Sequence, residues 1–177
     1  MKVWINALAF QLIWFAIALG AAHGRVWIGV LLLAAWLPVH FRWSACRRDD
    51  LVLALLLAAG GPLVDTALMH AGLIAYQGAP LPGGLAPAWL AALWLNFALT
   101  LNHSLRWIGS HPALAALFGA AGGPLSYWAG QRLGAVHLAT PVWQPLLALG
   151  AIWTLTMLVL ARMQRAREAL RAAQSAL

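Results

Sequence analysis

Six long apolar stretches fill this chain of 177 residues and leave almost no room for a soluble domain. A helix needs about 20 residues to cross roughly 30 Å of hydrocarbon, so the chain can hold six spanning helices. Charged residues make up only 8% of the sequence, against about a quarter in soluble proteins. The sequence therefore predicts an all-α integral membrane bundle, one transmembrane domain over residues 1–177. The expected helices are 3–22, 26–43, 51–75, 88–107, 112–130 and 142–161, followed by a basic tail at 162–177.

Lysine and arginine residues gather at one set of helix ends. Because cytoplasmic flanks carry the excess of basic residues, this asymmetry predicts a multi-pass membrane protein with both termini cytoplasmic. The alternative for residues 1–22 is a cleaved signal peptide, since Lys2 precedes an apolar run that ends in small residues. The basic residues follow helix ends rather than a surface patch, so nucleic acid is not an expected partner. Nine lie at the expected cytoplasmic ends, namely Lys2, Arg42, Arg47, Arg48, Arg106, Arg162, Arg165, Arg167 and Arg171, and two at the outer ends, Arg25 and Arg132.

A short sequence repeat lies in the third and fifth expected helices. The string at 58–63 recurs at 120–125, and both copies contain Gly-Gly-Pro-Leu. Proline removes a helical hydrogen bond, and glycine lets a neighbouring helix come close. The repeat indicates either a duplicated helical hairpin with two matched kinks or ordinary packing of small residues. In both cases we expect close packing at Gly61 and Gly123.

Asp65 is the one acidic residue expected inside the hydrocarbon. A carboxylate there costs about 2.5–3.5 kcal/mol even on the insertion scale, so it should face the bundle interior. The expected partners are Tyr127, Asn96, or one of the two outer cations, Arg25 and Arg132. Asp65 is then either a structural acid that ties helices together or a proton or substrate site, and the sequence leaves both open.

A polar stripe follows one face of the fourth expected helix. Asn96, Thr100 and His103 have the i, i+4, i+7 spacing of residues that share a face. Facing inward, they could meet Gln11 and Asn6 of the first helix and form a polar column, or simply make hydrogen bonds between helices. The candidate intramembrane polar site comprises Asp65, Asn96, Thr100, His103, Ser126 and Tyr127.

Known catalytic and metal-binding patterns are missing, so the sequence predicts no metal site and no cofactor. No two histidines have ligand spacing on one helix face, and no phosphate loop or nucleophile elbow is present. Asp49 and Asp50 directly follow two arginines, which favours a solvated, salt-bridged turn. Cys46, the single cysteine, excludes an internal disulfide. Five histidines fall near helix ends or in loops and need no special role: His23, His40, His70, His111 and His137.

Three segments of the sequence carry distinctive motifs, at residues 64–76, 100–107 and 122–134. Together they resemble a bacterial inner-membrane family known as domain of unknown function 2878, and the similarity runs from about Phe10 to the start of the tail. The resemblance implies a small multi-helix membrane protein without assigned catalytic residues. It also implies a place beside lipid-modifying membrane enzymes, including cyclopropane-synthase-like methyltransferases.

The expected function is an accessory role in membrane-lipid metabolism. The chain would bind a lipid or isoprenoid between kinked helices, with Arg25 or Arg132 near the polar head and Asp65 and Tyr127 deeper. Membrane lipids and lipid-modifying enzymes are then the expected partners, and enzyme activity stays open. One alternative is a proton-linked carrier that uses the column from Asp65 to His103. The other is a purely structural membrane subunit.

Overall fold

The described residues fold into six α-helices, as expected for an all-α chain, with one small two-stranded sheet. The fold is given by a computed structural model that describes residues 3–175; Lys2 and the last two residues of the expected tail lie outside the described residues. The elements in chain order are α1 Val3–Ala22, α2 Trp27–Trp43, α3 Arg47–His70, β1 Ile74–Tyr76, α4 Trp89–Leu101, a 3₁₀ helix Arg106–Gly109, α5 Pro112–Leu133, β2 Val136–Leu138 and α6 Trp143–Ser175.

Three helices of the described chain are long and apolar enough to cross a membrane. They are α1, α3 and the first 28 residues of α6, Trp143–Leu170. The helices α2 and α4 are apolar but shorter, with 17 and 13 residues. At 1.5 Å per residue, α4 is only about 20 Å long, less than the hydrocarbon thickness. These lengths fit a membrane protein, and the count of six spans stays a prediction.

The helix α1 has an apolar exposed face and a tightly buried opposite face. Trp4, Leu8 and Leu12 follow helical spacing and are 80%, 63% and 65% exposed. Asn6 and Ile17 lie on the buried side of the same helix. A continuous apolar stripe on a helix surface is suited to lipid contact rather than to water. The polar Asn6 therefore faces the protein, and large apolar side chains face outward.

The helix α3 ends at His70, five residues earlier than the sequence predicts. Gly72 has a left-handed backbone, with φ of +69°, which only glycine adopts without strain. Its N–H donates to the Met69 carbonyl at 3.0 Å, and the Leu73 N–H donates to the Leu68 carbonyl at 3.0 Å. This pair of bonds is the Schellman ending of a helix. The chain then turns into β1, which pairs antiparallel with β2.

Two other helix ends also differ from expectation. The helix α4 ends at Leu101 rather than near residue 107, and its C-cap residue Asn102 begins a run of turns. The helix α6 continues to Ser175, so the basic tail extends the last helix.

The chain forms two compact units. The first comprises residues 1–105 and 130–139, and the second comprises residues 106–129 and 140–177. The first unit holds α1 to α4 and the small sheet. In the second, the Arg165 Nε donates to the Gly109 carbonyl at 2.6 Å and joins α6 to the 3₁₀ helix. The expectation of a single domain remains a prediction.

The two copies of the repeat are packed in the same way, each within its own unit. A side chain added at Gly61 would overlap the ring of Trp94 on α4. A side chain added at Gly123 would overlap the ring of Trp153 on α6. In each copy, the second glycine thus admits a tryptophan from the next helix. The expected close packing at these glycines is confirmed, and both prolines lie inside continuous helices.

Candidate functional site

The helix α3 carries two fully buried aspartates near its opposite ends. Asp50 lies in the first turn and Asp65 lies 15 residues later, so about 22 Å separates them along the axis. Each has its own set of polar partners, all within the first unit. The Asp50 centre comprises Asp50, His40, Ser44, Asn102 and His103, and the Asp65 centre comprises Asp65, Tyr76 and Trp94.

In the Asp50 centre, one carboxylate oxygen accepts three hydrogen bonds. Ser44 Oγ donates to Oδ2 at 2.6 Å, His103 Nε2 at 2.9 Å and His40 Nε2 at 3.0 Å. Asn102 Nδ2 donates to the other oxygen, Oδ1, at 2.8 Å. Asp50 and His40 are 0% exposed, and the His103 side chain is 7% exposed. The carboxylate is thus enclosed by donors from three parts of the chain.

Helix ends bring these side chains together. His40 lies in the last turn of α2, and Ser44 is the residue that caps that helix, its N–H donating to the His40 carbonyl at 2.9 Å. The connection to α3 is so short that Asp50 follows in the first turn. Ser44 Oγ also accepts the Cys46 N–H at 3.0 Å, which fixes the connection. Asn102 then approaches from the turn that follows α4.

The ionisation of His103 is controlled by the same carboxylate. Burial by itself lowers the pKa of His103, but hydrogen bonds to Asp50 and then to Cys46, together with the charges of both groups, outweigh burial and raise the pKa to about 9. His103 lies in the turn beyond the end of α4. Without a bound metal, it is therefore a cation at neutral pH and forms an ion pair with Asp50.

In the Asp65 centre, the carboxylate is bound by two aromatic side chains. Tyr76 Oη donates to Oδ1 at 2.8 Å, and Trp94 Nε1 donates to Oδ2 at 2.7 Å. Tyr76 comes from β1, while Trp94 reaches over Gly61, four residues before Asp65 on the same face of α3. The repeat glycine thus makes room for the indole that binds the acid.

The expected burial of Asp65 is confirmed, and two aromatic residues that were not predicted bind it. Asp65 is 0% exposed. Because α3 ends at His70, the acid lies about one and a half turns from the helix end. Tyr76 and Trp94, two residues that the sequence did not suggest, each donate a hydrogen bond to it. Asn96, an expected partner, donates its amide to the Phe10 carbonyl on α1 at 3.0 Å.

The polar stripe of α4 is buried as expected, although it does not meet Gln11. Thr100 Oγ1 donates to the Phe97 carbonyl of its own helix at 2.6 Å. Asn6 donates to the Leu99 carbonyl at 3.1 Å and accepts the Ser104 hydroxyl at 2.7 Å. Gln11 is exposed, so its inclusion in a polar column was wrong. These bonds tie α1 to α4 and to the turn that follows it.

The remaining predicted site residues are Ser126, Tyr127, Arg25 and Arg132. Ser126, in the second unit, is partly buried and donates to the Gly123 carbonyl of its own helix at 2.8 Å. Tyr127 is partly buried in the same unit. Arg25 and Arg132 are both exposed and belong to the first unit. The structure thus brings His103 into the Asp50 centre and Asp65 into a separate one.

Sequence reasoning missed the Asp50 centre. Asp50 was expected in a solvated turn and His40 without a role, and both interpretations are wrong because both side chains are fully buried and bonded to each other. The two histidines come from α2 and from the turn after α4, so no spacing rule along one helix could pair them. Among the described residues, ligand atoms of His40, Asp50 and His103 lie within 4.8 Å of one another and could hold a metal ion.

The comparison with known families covers nearly the whole chain. A family model described as "Protein of unknown function (DUF2878)" matches residues 3–159. No curated protein and no solved structure matches the chain. The match begins at α1 and reaches into α6, so it includes both buried aspartate centres. The chain therefore belongs to the DUF2878 family of proteins of unknown function.

Proposed function

We propose that the chain is a multi-pass inner-membrane protein that binds an anionic amphiphile, a lipid or an isoprenoid with a phosphorylated head. The observation that carries this proposal is the position of Arg25 and Arg132 at one end of the first unit. Gly134, two residues after Arg132, lies against Ala22, three residues before Arg25: a side-chain carbon on that glycine would be 3.7 Å from the Ala22 Cβ. Both arginines are exposed there.

The Asp65 centre lies at the same end of the unit. Tyr76, which binds Asp65, is paired with Val136 of β2, and Val136 follows Gly134 by two residues. An anionic head bound by two guanidinium groups would make charge-assisted hydrogen bonds, the strongest polar contacts available to it. The acyl or isoprenoid chain would lie along the apolar exposed face of α1. The arrangement thus offers cations for the head beside an apolar surface for the chain.

Lipid identification tests this proposal directly. We expect native mass spectrometry of the detergent-purified protein to show a bound anionic amphiphile. The double variant Arg25→Gln/Arg132→Gln should reduce its occupancy at least about tenfold, because two charge-assisted contacts are removed. The control Arg42→Gln/Arg48→Gln changes the net charge equally at exposed positions near the start of α3. Equal occupancy in both double variants, or no bound amphiphile, would refute the proposal.

The proposed orientation places both termini in the cytoplasm, because the sequence predicts nine of the eleven basic residues on one side of the membrane. Single cysteines in a Cys46→Ala background provide the test. Cysteines at Ala45 and Gln174 should react with a reagent added to the cytoplasmic side, and one at Gly83 should react from the periplasmic side. Ala45 and Gly83 are exposed, so labelling is not limited by burial. Reaction of positions 83 and 174 from one side would exclude this topology.

A further inference from the structure

The three metal-ligand side chains of the Asp50 centre converge on one point. His40 Nε2 and His103 Nε2 lie 3.0 Å and 2.9 Å from the same oxygen, Asp50 Oδ2. Zinc binds histidine nitrogen and carboxylate oxygen at about 2.0–2.2 Å, so neighbouring ligand atoms around it lie roughly 3.0–3.5 Å apart. The two nitrogen-to-oxygen separations lie at the lower end of that spacing, and the ligand atoms of all three residues lie within 4.8 Å of one another. An ion between the two imidazoles and the carboxylate would replace the two hydrogen bonds that the imidazoles make to Oδ2.

The hydrogen bonding of Asp50 is crowded on the side where the ion would lie. A carboxylate oxygen offers two lone pairs, and Asp50 Oδ2 receives three donors, from Ser44, His103 and His40. One imidazole therefore shares a lone pair with another donor. With an ion bound, both Nε2 atoms would bind the metal, and Oδ2 would keep the Ser44 hydroxyl. Each Oδ2 lone pair would then have a single partner, the ion or the Ser44 hydroxyl.

We propose that His40, Asp50 and His103 bind one zinc ion. Two imidazoles and one carboxylate form the three-ligand set of zinc sites that keep a fourth position open. The proposal does not depend on amphiphile binding, because the Asp50 centre lies about 22 Å along α3 from the Asp65 centre.

Neighbouring groups hold the ligands in place. Asn102 Nδ2 and Ser44 Oγ orient the carboxylate through their hydrogen bonds, as outer partners do around metal ligands. The His40 Nδ1 atom is buried and has no hydrogen-bond partner among the described residues. The His40 ring is instead fixed by edge contacts with Phe41 and His103, whose ring centroids lie 5.3 Å and 4.8 Å away. Packing thus replaces a hydrogen bond in setting the orientation of this ligand.

Metal analysis of the purified full chain tests the proposal. We expect about one zinc per chain after growth with zinc, and at least a tenfold lower content in Asp50→Asn and in His103→Gln. The matched controls are Asp49→Asn, the adjacent acid, and His111→Gln, an exposed histidine. Both controls should keep the wild-type content. Wild-type protein that binds no zinc, or ligand variants that retain as much as the controls, would overturn the proposal.

A second measurement needs no variant and so does not depend on variant folding. Wild-type protein freed of zinc with a chelator should bind cobalt(II) and show the visible d–d absorption bands of a four- or five-coordinate ion with nitrogen and oxygen ligands. Zinc added afterwards should abolish these bands by displacing cobalt. A cobalt spectrum identical to that of the ion in buffer would show that the centre is not a metal site.

Discussion

The two ends of α3 show two different ways to bury an aspartate. Asp50 receives two imidazoles, a hydroxyl and an amide, from α2, the connection after it and the turn after α4. Asp65 is bound by a phenol and an indole, which are neutral donors on rigid aromatic rings. Asp50 also lies in the first turn of α3, where the helix macrodipole favours a negative charge, whereas Asp65 lies near the other end.

The two centres therefore differ in the chemical properties of the side chains that bind the aspartate. The partners of Asp50 can take a proton or bind a metal, so that centre has groups able to change state. Tyr76 and Trp94, which bind Asp65, are large aromatic side chains that fill space while they donate, and Trp94 also fits over Gly61. We therefore expect Asp50 to be sensitive to metal and pH, and Asp65 to be sensitive to changes in packing.

Removal of the Asp50 carboxylate should give the largest loss of stability among these variants. Asp50→Leu leaves the buried donors of His40, His103 and Asn102 without their acceptor, and breaking a buried charge pair costs about 3–5 kcal/mol. We expect little folded protein in the membrane and a strongly lowered thermal midpoint in detergent. The control is Asp49→Leu, which makes the same change one residue earlier. Similar stability of the two variants would show that the Asp50 centre does not hold the helices together.

The stability of the metal-free protein should depend on pH through His103. Its pKa is raised from 6.5 to about 9 in the folded state, so the folded protein binds that proton more tightly than the unfolded chain. The resulting stabilisation is complete below pH 6.5 and is lost as pH rises through 9, with a magnitude on the order of 3 kcal/mol. Thermal unfolding with a chelator present measures this change. His103→Gln should remove most of it, and an unchanged slope would rule out His103 as the cause.

Substitutions at the repeat glycines test how tightly Trp94 packs against α3. Gly61→Ala places a methyl group into the ring of Trp94, and overpacking typically costs about 1–3 kcal/mol. Gly60→Ala is the matched control, because nothing lies within 4 Å of the added carbon. We expect Gly60→Ala to be neutral or slightly stabilising, since alanine favours a helix more than glycine does. Equal thermal midpoints for the two variants would contradict the packing of Trp94 over α3.

The second copy of the repeat gives a parallel test within the second unit. Gly123→Ala should destabilise by a similar amount, about 1–3 kcal/mol, because the added carbon overlaps the Trp153 ring. Gly122→Ala meets only Phe118, at an ordinary contact distance of 3.8 Å, and serves as the control. A larger loss of thermal stability in Gly122→Ala than in Gly123→Ala would argue against equivalent packing of the two copies.

Asp65→Asn should give the smallest loss of stability among these variants. The amide oxygen can still accept the Trp94 N–H, and the Tyr76 hydroxyl can rotate to accept the amide N–H, so the loss should be about 1 kcal/mol. Complementation of a deletion strain, with membrane levels measured in parallel, separates the two roles of this acid. Normal complementation identifies Asp65 as a packing residue. Normal membrane levels without complementation would instead assign it a functional role.

Much of the helical framework could be predicted from hydropathy and helix-breaking residues. The bounds of α1 matched, and the start of α5 at Pro112 followed from the proline there. The end of α3 could also have been predicted, because Gly72 supplies the left-handed residue that a Schellman ending requires. The end of α4 could not be predicted in this way, because neither glycine nor proline occurs in the few residues directly after Leu101. There the turn places Asn102 and His103 against Asp50.

The two aspartates also differed in how far the sequence could predict them. Asp65 stands in a long apolar run, so its burial follows from helix length alone. Asp50 follows two arginines near a helix start and looks solvated. Its burial depends on partners from the turn after α4, which lie 52 and 53 residues further along the chain. Such long-range contacts leave no periodic pattern. The hydrogen bond from Trp94 to Asp65 likewise could not be predicted, because it depends on the packing of Trp94 over Gly61.

Zinc content in a matched pair of aspartate variants tests the central claim most directly. Asp50→Asn and Asp65→Asn make the same chemical change on the same helix, at two fully buried positions. If the two centres differ as proposed, purified Asp65→Asn retains about one zinc per chain, and Asp50→Asn loses at least about nine-tenths of it. Equal zinc content in the two folded variants would contradict the account.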